Sequence, residues 1–322
     1  SRLNKEEISF DDLKDNEAIL KSEYSMISAG TELSRAYAIK KGFEYPVRPG
    51  YCMVGRVLKR GKAIAAEEGD RVFFNAPHAS LVRWSSGDKV QGPLILKLDE
   101  EIDPVSATAL NLILVALQGV NLTEVRLGYR VAVFGLGNIG ILSALMYQKL
   151  GLKVIGIDPV KQRCALAEQM GLKYTAFENI KETLDDFSGG RGYDIAVDVT
   201  GLSEVIVDAL SCVRRYGQVL LLGSPRKSYE ADLTAVFSMV HMKDVKVIGA
   251  FNQTVPVEEK DGSNDSLVNN FRISQQLIKE GDLDIHKLIS RIIDPKDCQK
   301  AYDDLMYRKD QVNAIVYDWR NY

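Results

Sequence analysis

The run VAVFGLGNIG over residues 131–140 constrains this chain more than any other feature. The apolar stretch 130–134, continuous after one Arg, fits a strand covered on both faces, as in a parallel sheet. Three glycines follow in G-x-G-x-x-G spacing, and apolar residues then recur at helical spacing over 139–150. In that context each glycine has its own task. Gly135 allows a tight turn, Gly137 lets the backbone approach a pyrophosphate, and Gly140 allows close packing of helix on strand. With Asn138 and Ile139 they open a helix N-terminus, whose free N–H groups and dipole favour an anion.

A second strand at 153–157 ends on Asp158, about 20 residues past the first glycine. An acid there accepts hydrogen bonds from the adenosine ribose hydroxyls and repels a 2′-phosphate. The expected cofactor is therefore NAD(H) rather than NADP(H), although Lys161 and Arg163 just beyond can shield a phosphate. The alternation continues with helix 160–170, strand 195–199, helix 204–213 and strand 218–222. Such alternation implies a parallel sheet with right-handed crossovers, binding ligands at the carboxyl ends of its strands. Thr200 and Gly201 end one strand and Gly223 and Ser224 the next, so all four are expected on the nicotinamide side.

The flanking texture differs. Residues 1–112 are short, alternating and turn-rich, with strands expected at 18–22, 54–58, 70–74 and 79–84. After residue 251 come a polar loop at 258–265, a helix at 267–280 closing on Gly281, a helix at 295–306 and a strand at 314–317. The expected fold is α/β. A Rossmann doubly wound parallel sheet domain, residues 113–252, is inserted into a β-rich catalytic domain made of residues 1–112 and 253–322.

Charge narrows the partners. A net charge of −3 over 322 residues leaves no basic excess for nucleic acid. No apolar run reaches the ~18 residues of a transmembrane helix, so no membrane partner is expected. The first residues carry no signal-peptide pattern, and the cytoplasm is the expected compartment. Cys52, Cys164, Cys212 and Cys298 are widely spaced and read as isolated thiols.

Several segments, in order, resemble the medium-chain dehydrogenase/reductase superfamily, whose members are alcohol-dehydrogenase-like. NEAILK (16–21) and SMISAGTE (25–32) resemble its first strands and metal-ligand turn. PGYCMVGRV (49–57) resembles its Gly-His-Glu strand, and GDRV (69–72) its turn before a strand. Residues 107–120 resemble its linking helix, and 135–140 its cofactor loop. The resemblance implies a GroES-like fold for the catalytic domain and a small-molecule substrate. It also implies a homodimer or homotetramer, with residues 245–251 as the pairing edge of the cofactor-domain sheet. It departs at the metal. Zinc-bearing members place ligands where this chain has Ala29, Tyr51 and Asn111, and neighbouring Glu32 and Cys52 make a poor tetrahedral set. The lobe with four closely spaced cysteines is missing too, since 73–84 runs directly from strand to strand. No zinc is expected.

Hydride transfer to a carbonyl leaves a developing alkoxide that needs a donor. Thr31 matches the family's proton-relaying hydroxyl, and Tyr51 stands in for the ligand histidine. His78 leads into a strand and is of the residue type that titrates near neutral pH, and Asn111 offers an amide. Each has a plain structural reading as well: His78 as a loop residue, Tyr51 as a space-filler. His241 is expected to cap or to contact a neighbouring subunit, and His286 to start a solvated helix. The function expected is a zinc-independent oxidoreductase moving a hydride between NAD(H) and a small alcohol or carbonyl, of polyol or sugar type among others. An enone or quinone reductase, or a non-catalytic dinucleotide-binding sensor or structural oligomer, are the alternatives.

Overall fold

The computed structural model describes residues 4–37, 45–86, 94–251, 255–259 and 265–322. Along the chain come β1 (Glu17–Met26), α1 (Ala29–Ala36), β2 (Met53–Arg60), β3 (Arg71–Phe74), β4 (Leu81–Ser85), β5 (Ile95–Lys97), α2 (Pro104–Ala107) and α3 (Leu110–Asn121). The middle alternates β6 (Arg130–Phe134), α4 (Asn138–Lys149), β7 (Lys153–Ile157), α5 (Lys161–Gln169), β8 (Thr175–Ala176), α6 (Ile180–Ser188), β9 (Tyr193–Asp198), α7 (Ser203–Cys212), β10 (Val213–Leu221), α8 (Leu233–Lys243) and β11 (Lys246–Gly249). The last stretch holds α9 (Leu267–Lys279), α10 (Ile285–Leu288), β12 (Ile289–Ile293), α11 (Cys298–Tyr307) and β13 (Ala314–Asp318). Two compact units result: Ser1–Asn111 with Val255–Tyr322, and Leu112–Thr254.

The second unit is a parallel sheet in the order β11-β10-β9-β6-β7-β8. Every residue of β9 is buried, and its middle, 195–197, is apolar, as a strand covered on both faces requires. The chain runs outward from β6 through β7 to β8, then returns to β9 and runs outward the other way. The carboxyl ends of β6 and β9 therefore flank the point where the winding reverses, which is where such sheets open a crevice. Ala132, Phe134, Ile155, Ile157, Ala196 and Val219 build the core. Burying a side chain such as Ile155 stabilises by about 1.5–3 kcal/mol.

The first unit joins both ends of the chain in a sheet ordered β12-β13-β1-β2-β3-β5, with β4 also paired to β1. Apart from the parallel β12–β13 pair its ladders are antiparallel. One core packs Ala18, Leu20, Met53, Val57, Val72 and Phe74. Another packs Ile27, just after β1, and Leu33 of α1 on Tyr302, Leu305, Ile315 and Trp319 near the C-terminus. The α/β fold, a parallel sheet inserted between the two segments of a β-rich one, is the one its sequence texture implies.

Local differences have local causes. The expected turn at 25–32 is the end of β1 followed by helix α1. Residues Pro295–Asp297 form a 3-10 turn before α11, because the Asp294 carboxylate accepts Lys296 N–H at 2.8 Å and tightens the first turn. Helix α7 stops at Cys212 and the chain passes straight into β10, which bulges between Val213 and Gln218 with Tyr216 at φ +60°. Part of the expected loop at 258–265 lies outside the described residues. No helix among the described residues is long and apolar enough to cross a membrane.

Candidate active site

In the parallel-sheet unit, the glycine run turns β6 into α4. Gly135 has φ +97° and donates its N–H to Ile157 O at 2.7 Å. Such a φ strains any residue with a Cβ. Gly140 lies against Gly135, where a Cβ would meet Gly135 O at 1.8 Å. Gly137 is the N-cap of α4, and a Cβ built there meets nothing within 4 Å. Asn138 and Ile139 form the first turn of α4. The helix N-terminus thus presents backbone N–H groups beside open space, the arrangement an anion needs.

Asp158 follows β7 and is 2% exposed. Its Oδ2 accepts Leu136 N–H at 2.9 Å and lies 3.3 Å from Arg163 Nη1, and its Oδ1 accepts Val160 N–H at 2.9 Å. The carboxylate is thereby locked to the glycine loop. Beyond β9, buried Asp198 accepts Thr200 N–H at 2.8 Å, Thr200 O–H at 2.6 Å and Gly201 N–H at 3.1 Å. Burial raises its carboxyl above the usual range. Gly201, at φ +66°, backs onto the next loop so closely that a Cβ would sit 2.0 Å from Ser224 O and 3.3 Å from Gly223 C. Thr200, Gly201, Gly223 and Ser224 are thus one packed pair of loops.

In the β-rich unit, Tyr51 is set by its neighbours. Gly50 has φ +113°, and a Cβ on it would meet His78 N at 2.5 Å and the imidazole Cγ at 2.8 Å. Asn75 Nδ2–H donates to Tyr51 O at 2.9 Å. The Tyr51 hydroxyl is hydrogen-bonded to Ser28 Oγ and donates to Thr31 Oγ1 at 3.3 Å. Burial, above all, pushes this phenol well above its ordinary pKa. Tyr51 is therefore a protonated donor tied to two further hydroxyls.

Glu32 organises what surrounds this chain of hydroxyls. It is 1% exposed; its Oε1 accepts Ser28 N–H at 2.7 Å and its Oε2 accepts the Tyr302 hydroxyl. His78 Nε2 lies 3.0 Å from the same Oε2, and His78 Nδ1 lies 2.8 Å from Ser25 Oγ, which also accepts Trp319 Nε1–H at 2.8 Å. Both ring nitrogens of His78 are thus engaged inside the protein, with the side chain 7% exposed. The structure joins Thr31 to Tyr51 and ties His78 to them through Glu32. Asn111 is buried on α3 and makes none of these bonds. Sequence reasoning weighed Glu32 only as a neighbour of the zinc-ligand positions, and it missed Tyr302, Ser25, Ser28 and Trp319. Glu32 alone had a signal, as the acid ending SAGTE; Tyr302 stands 270 positions away with none.

His241 lies in the exposed last turn of α8, where its carbonyl accepts Asp244 N–H at 3.3 Å. His286 is in α10, 3.0 Å from Asp103. Among the described residues no three of His, Cys, Asp and Glu gather as metal ligands. Ala29, Tyr51 and Asn111, which the family resemblance sets against the zinc ligands, offer no thiolate, imidazole or carboxylate.

Residues 138–264 match the family model described as zinc-binding dehydrogenase. D-xylulose reductase A of Aspergillus oryzae is 25% identical over 217 residues, 65% of this chain and 56% of that protein. L-threonine 3-dehydrogenase of Mesorhizobium japonicum is 25% identical over 201 residues, 60% of this chain and 52% of that protein. The match thus spans about half the length of these relatives. Galactitol-1-phosphate dehydrogenase from Escherichia coli has a similar fold, with TM-score 0.81, 16% identity, and coverage of 98% of this chain and 96% of that one.

Proposed function

The chain belongs to the medium-chain dehydrogenase/reductase superfamily, and from that premise we propose that it is an NAD(H)-dependent oxidoreductase acting on a small alcohol or carbonyl without zinc. The observation that carries this reading is the Tyr51–Ser28–Thr31 chain of hydroxyls, in segments that the family resemblance sets against the zinc ligands. The relatives' names, a xylulose reductase, a threonine dehydrogenase and a galactitol-1-phosphate dehydrogenase, support a hydroxylated substrate of polyol or sugar-derived type. Free cysteines fit a cytoplasmic setting, and an exposed apolar sheet edge fits a homo-oligomer.

When bound, the dinucleotide supplies or accepts the hydride. Gly135, Gly137 and Gly140, with Asn138 and Ile139 on α4, would hold its pyrophosphate, and Asp158 would favour an unphosphorylated ribose. Thr200, Gly201, Gly223 and Ser224 would line the nicotinamide side. In the reductive direction Tyr51 O–H donates to the substrate oxygen as negative charge grows there, then passes it the proton. The Ser28 or Thr31 hydroxyl relays a proton from solvent water back to the phenolate, taking up one proton as it gives one. His78, with no free ring nitrogen, keeps the turn carrying Ser28 and Thr31 in place through Glu32.

The test is turnover by chelator-treated protein of measured zinc content on polyols, ketones and enones with NAD(H). We expect activity with clearly substoichiometric zinc. Tyr51→Phe should lower kcat by about 10²–10⁴-fold with NADH affinity unchanged. Activity that needs one zinc per chain, or full turnover by Tyr51→Phe, would overturn the assignment. A chain that binds NADH but turns over none of the panel is the sensor instead.

A further inference from the structure

Strand β3 ends at Phe74, which pairs with Met53 of β2 on one side and Ile95 of β5 on the other. Beyond it the ladder cannot continue in the usual way. Residues 75–78 are Asn-Ala-Pro-His; Pro77 has no N–H to give, and it holds Ala76 before it to extended backbone. Asn75 joins the two sides with its side chain instead. Its Nδ2–H donates to Tyr51 O at 2.9 Å on the β2 side, and its Oδ1 accepts Leu94 N–H at 3.2 Å on the β5 side. Its own backbone N–H donates to Leu94 O at 3.0 Å. A carboxamide carries an N–H donor and a C=O acceptor in one plane, as a peptide unit does, so it can stand in for a missing rung.

The same short segment grips the other end of the Pro49–Tyr51 stretch. His78 backbone N–H donates to Pro49 O at 2.8 Å, and Gly50, between the two gripped carbonyls, lies against the His78 imidazole. The backbone that launches the Tyr51 side chain is therefore fixed at both of its outer carbonyls by residues 75–78. The phenol is long, and its hydroxyl meets Ser28 Oγ and Thr31 Oγ1 at the far end. A small tilt of the Tyr51 peptide moves that hydroxyl much further than it moves the backbone.

We propose that Asn75 is a positioning residue for the reaction: its carboxamide sets the direction of the Tyr51 peptide and so keeps the phenol in line with the Ser28 and Thr31 hydroxyls and with the substrate oxygen. The proposal rests on the reading of Tyr51 as the proton donor. The side-chain bonds of Asn75 are to backbone groups, so it acts through Tyr51 and not on the substrate. Misplacing a reacting group by about 1 Å can cost about 10²-fold in rate. Asn75→Ala should therefore lower kcat by about 10–10²-fold and leave NADH affinity unchanged.

The experiment measures steady-state kinetics on the best substrate of the polyol, ketone and enone panel. It compares the wild-type chain, Asn75→Ala, Asn75→Asp, Tyr51→Phe and the double variant Asn75→Ala/Tyr51→Phe, with circular dichroism and NADH titration as checks on folding. Asn75→Asp keeps the acceptor for Leu94 N–H and removes only the donor, so it decides the matter if Asn75→Ala misfolds. Its carboxylate has no hydrogen to give Tyr51 O, and protonation restores an O–H donor there. Contact with a carbonyl oxygen favours the neutral form and raises this carboxyl above the about 3.9 of a free aspartate. The loss in Asn75→Asp should thus shrink, relative to wild type, as the pH falls toward about 5. In the Tyr51→Phe background Asn75→Ala should cost little more, because the hydroxyl it positions is gone. Wild-type kcat in both Asn75 variants, a loss in Asn75→Asp that is the same at every pH, or the full loss repeated in the Tyr51→Phe background overturns the positioning role and leaves Tyr51 standing as the donor. Full turnover by Tyr51→Phe, or a wild-type chain that turns over none of the panel, overturns the reading of Tyr51 and the proposal with it.

Discussion

Glu32 shows how much a single buried carboxylate can organise. With Glu32 ionised and His78 carrying its proton on Nε2, every donor of the network meets an acceptor. Trp319 donates to Ser25, Ser25 to His78 Nδ1, and His78, Tyr302 and the Ser28 backbone to Glu32. That tautomer is assigned from the hydrogen bonds. Glu32→Gln puts an amide NH2 where a donor already points, so a buried donor goes unpaired. We expect a stability loss of about 1–3 kcal/mol in denaturant titrations, with NADH affinity kept because the glycine loop is in the other unit. An unchanged midpoint would mean the network adds nothing net. Tyr51 could be singled out from the sequence because the family resemblance puts a histidine at its place, two residues before β2. The Glu32–His78–Tyr302 contacts were not legible, since they join residues far apart in the chain and no local pattern encodes their meeting.

At the scale of elements, the glycine loop separates packing from binding. Gly140 has no room, because its Cβ would strike the Gly135 backbone carbonyl, which cannot rotate away. Gly140→Ala must push α4 off β6, and overpacking of this kind costs about 1–3 kcal/mol. Gly137 has open space, so Gly137→Val should fold with little change in melting temperature and fail to bind NADH, its side chain standing where a pyrophosphate approaches. Thermal unfolding followed by NADH titration distinguishes the two. A Gly137→Val variant with full affinity would place the nucleotide elsewhere. This strand–loop–helix unit was readable from sequence because its period, its glycines and its helix start are all local. The bulge in β10 was not, because the parallel pairing with β9 decides it.

At the scale of the whole molecule, α8 and β11 expose an apolar face. Helix α8 carries no buried residue, and Leu233, Met242 and Phe237, the last 64% exposed, lie on its surface. β11 is an edge strand of the parallel sheet, with Val247 exposed on it and Phe251 exposed just beyond its end. An open edge beside such a patch is a site of association. The wild-type chain should sediment as an oligomer, and Val247→Lys or Phe237→Asp should dissociate it without loss of NADH binding. A wild-type monomer at micromolar concentration would refute this. What the sequence determined by itself was what periodicity and short motifs encode: the alternating α/β middle, the β-rich flanks and the glycine loop. Each depends on residues close in the chain, whose spacing alone sets which face is buried and which turn can form. The tertiary structure decided the rest. It turned Asp158 into the glycine loop, enclosed both nitrogens of His78, and brought Tyr302 and Trp319 back to the turn bearing Glu32. Such contacts depend on which distant strands pair and how buried polar groups find partners once water is gone, and chain order does not specify that.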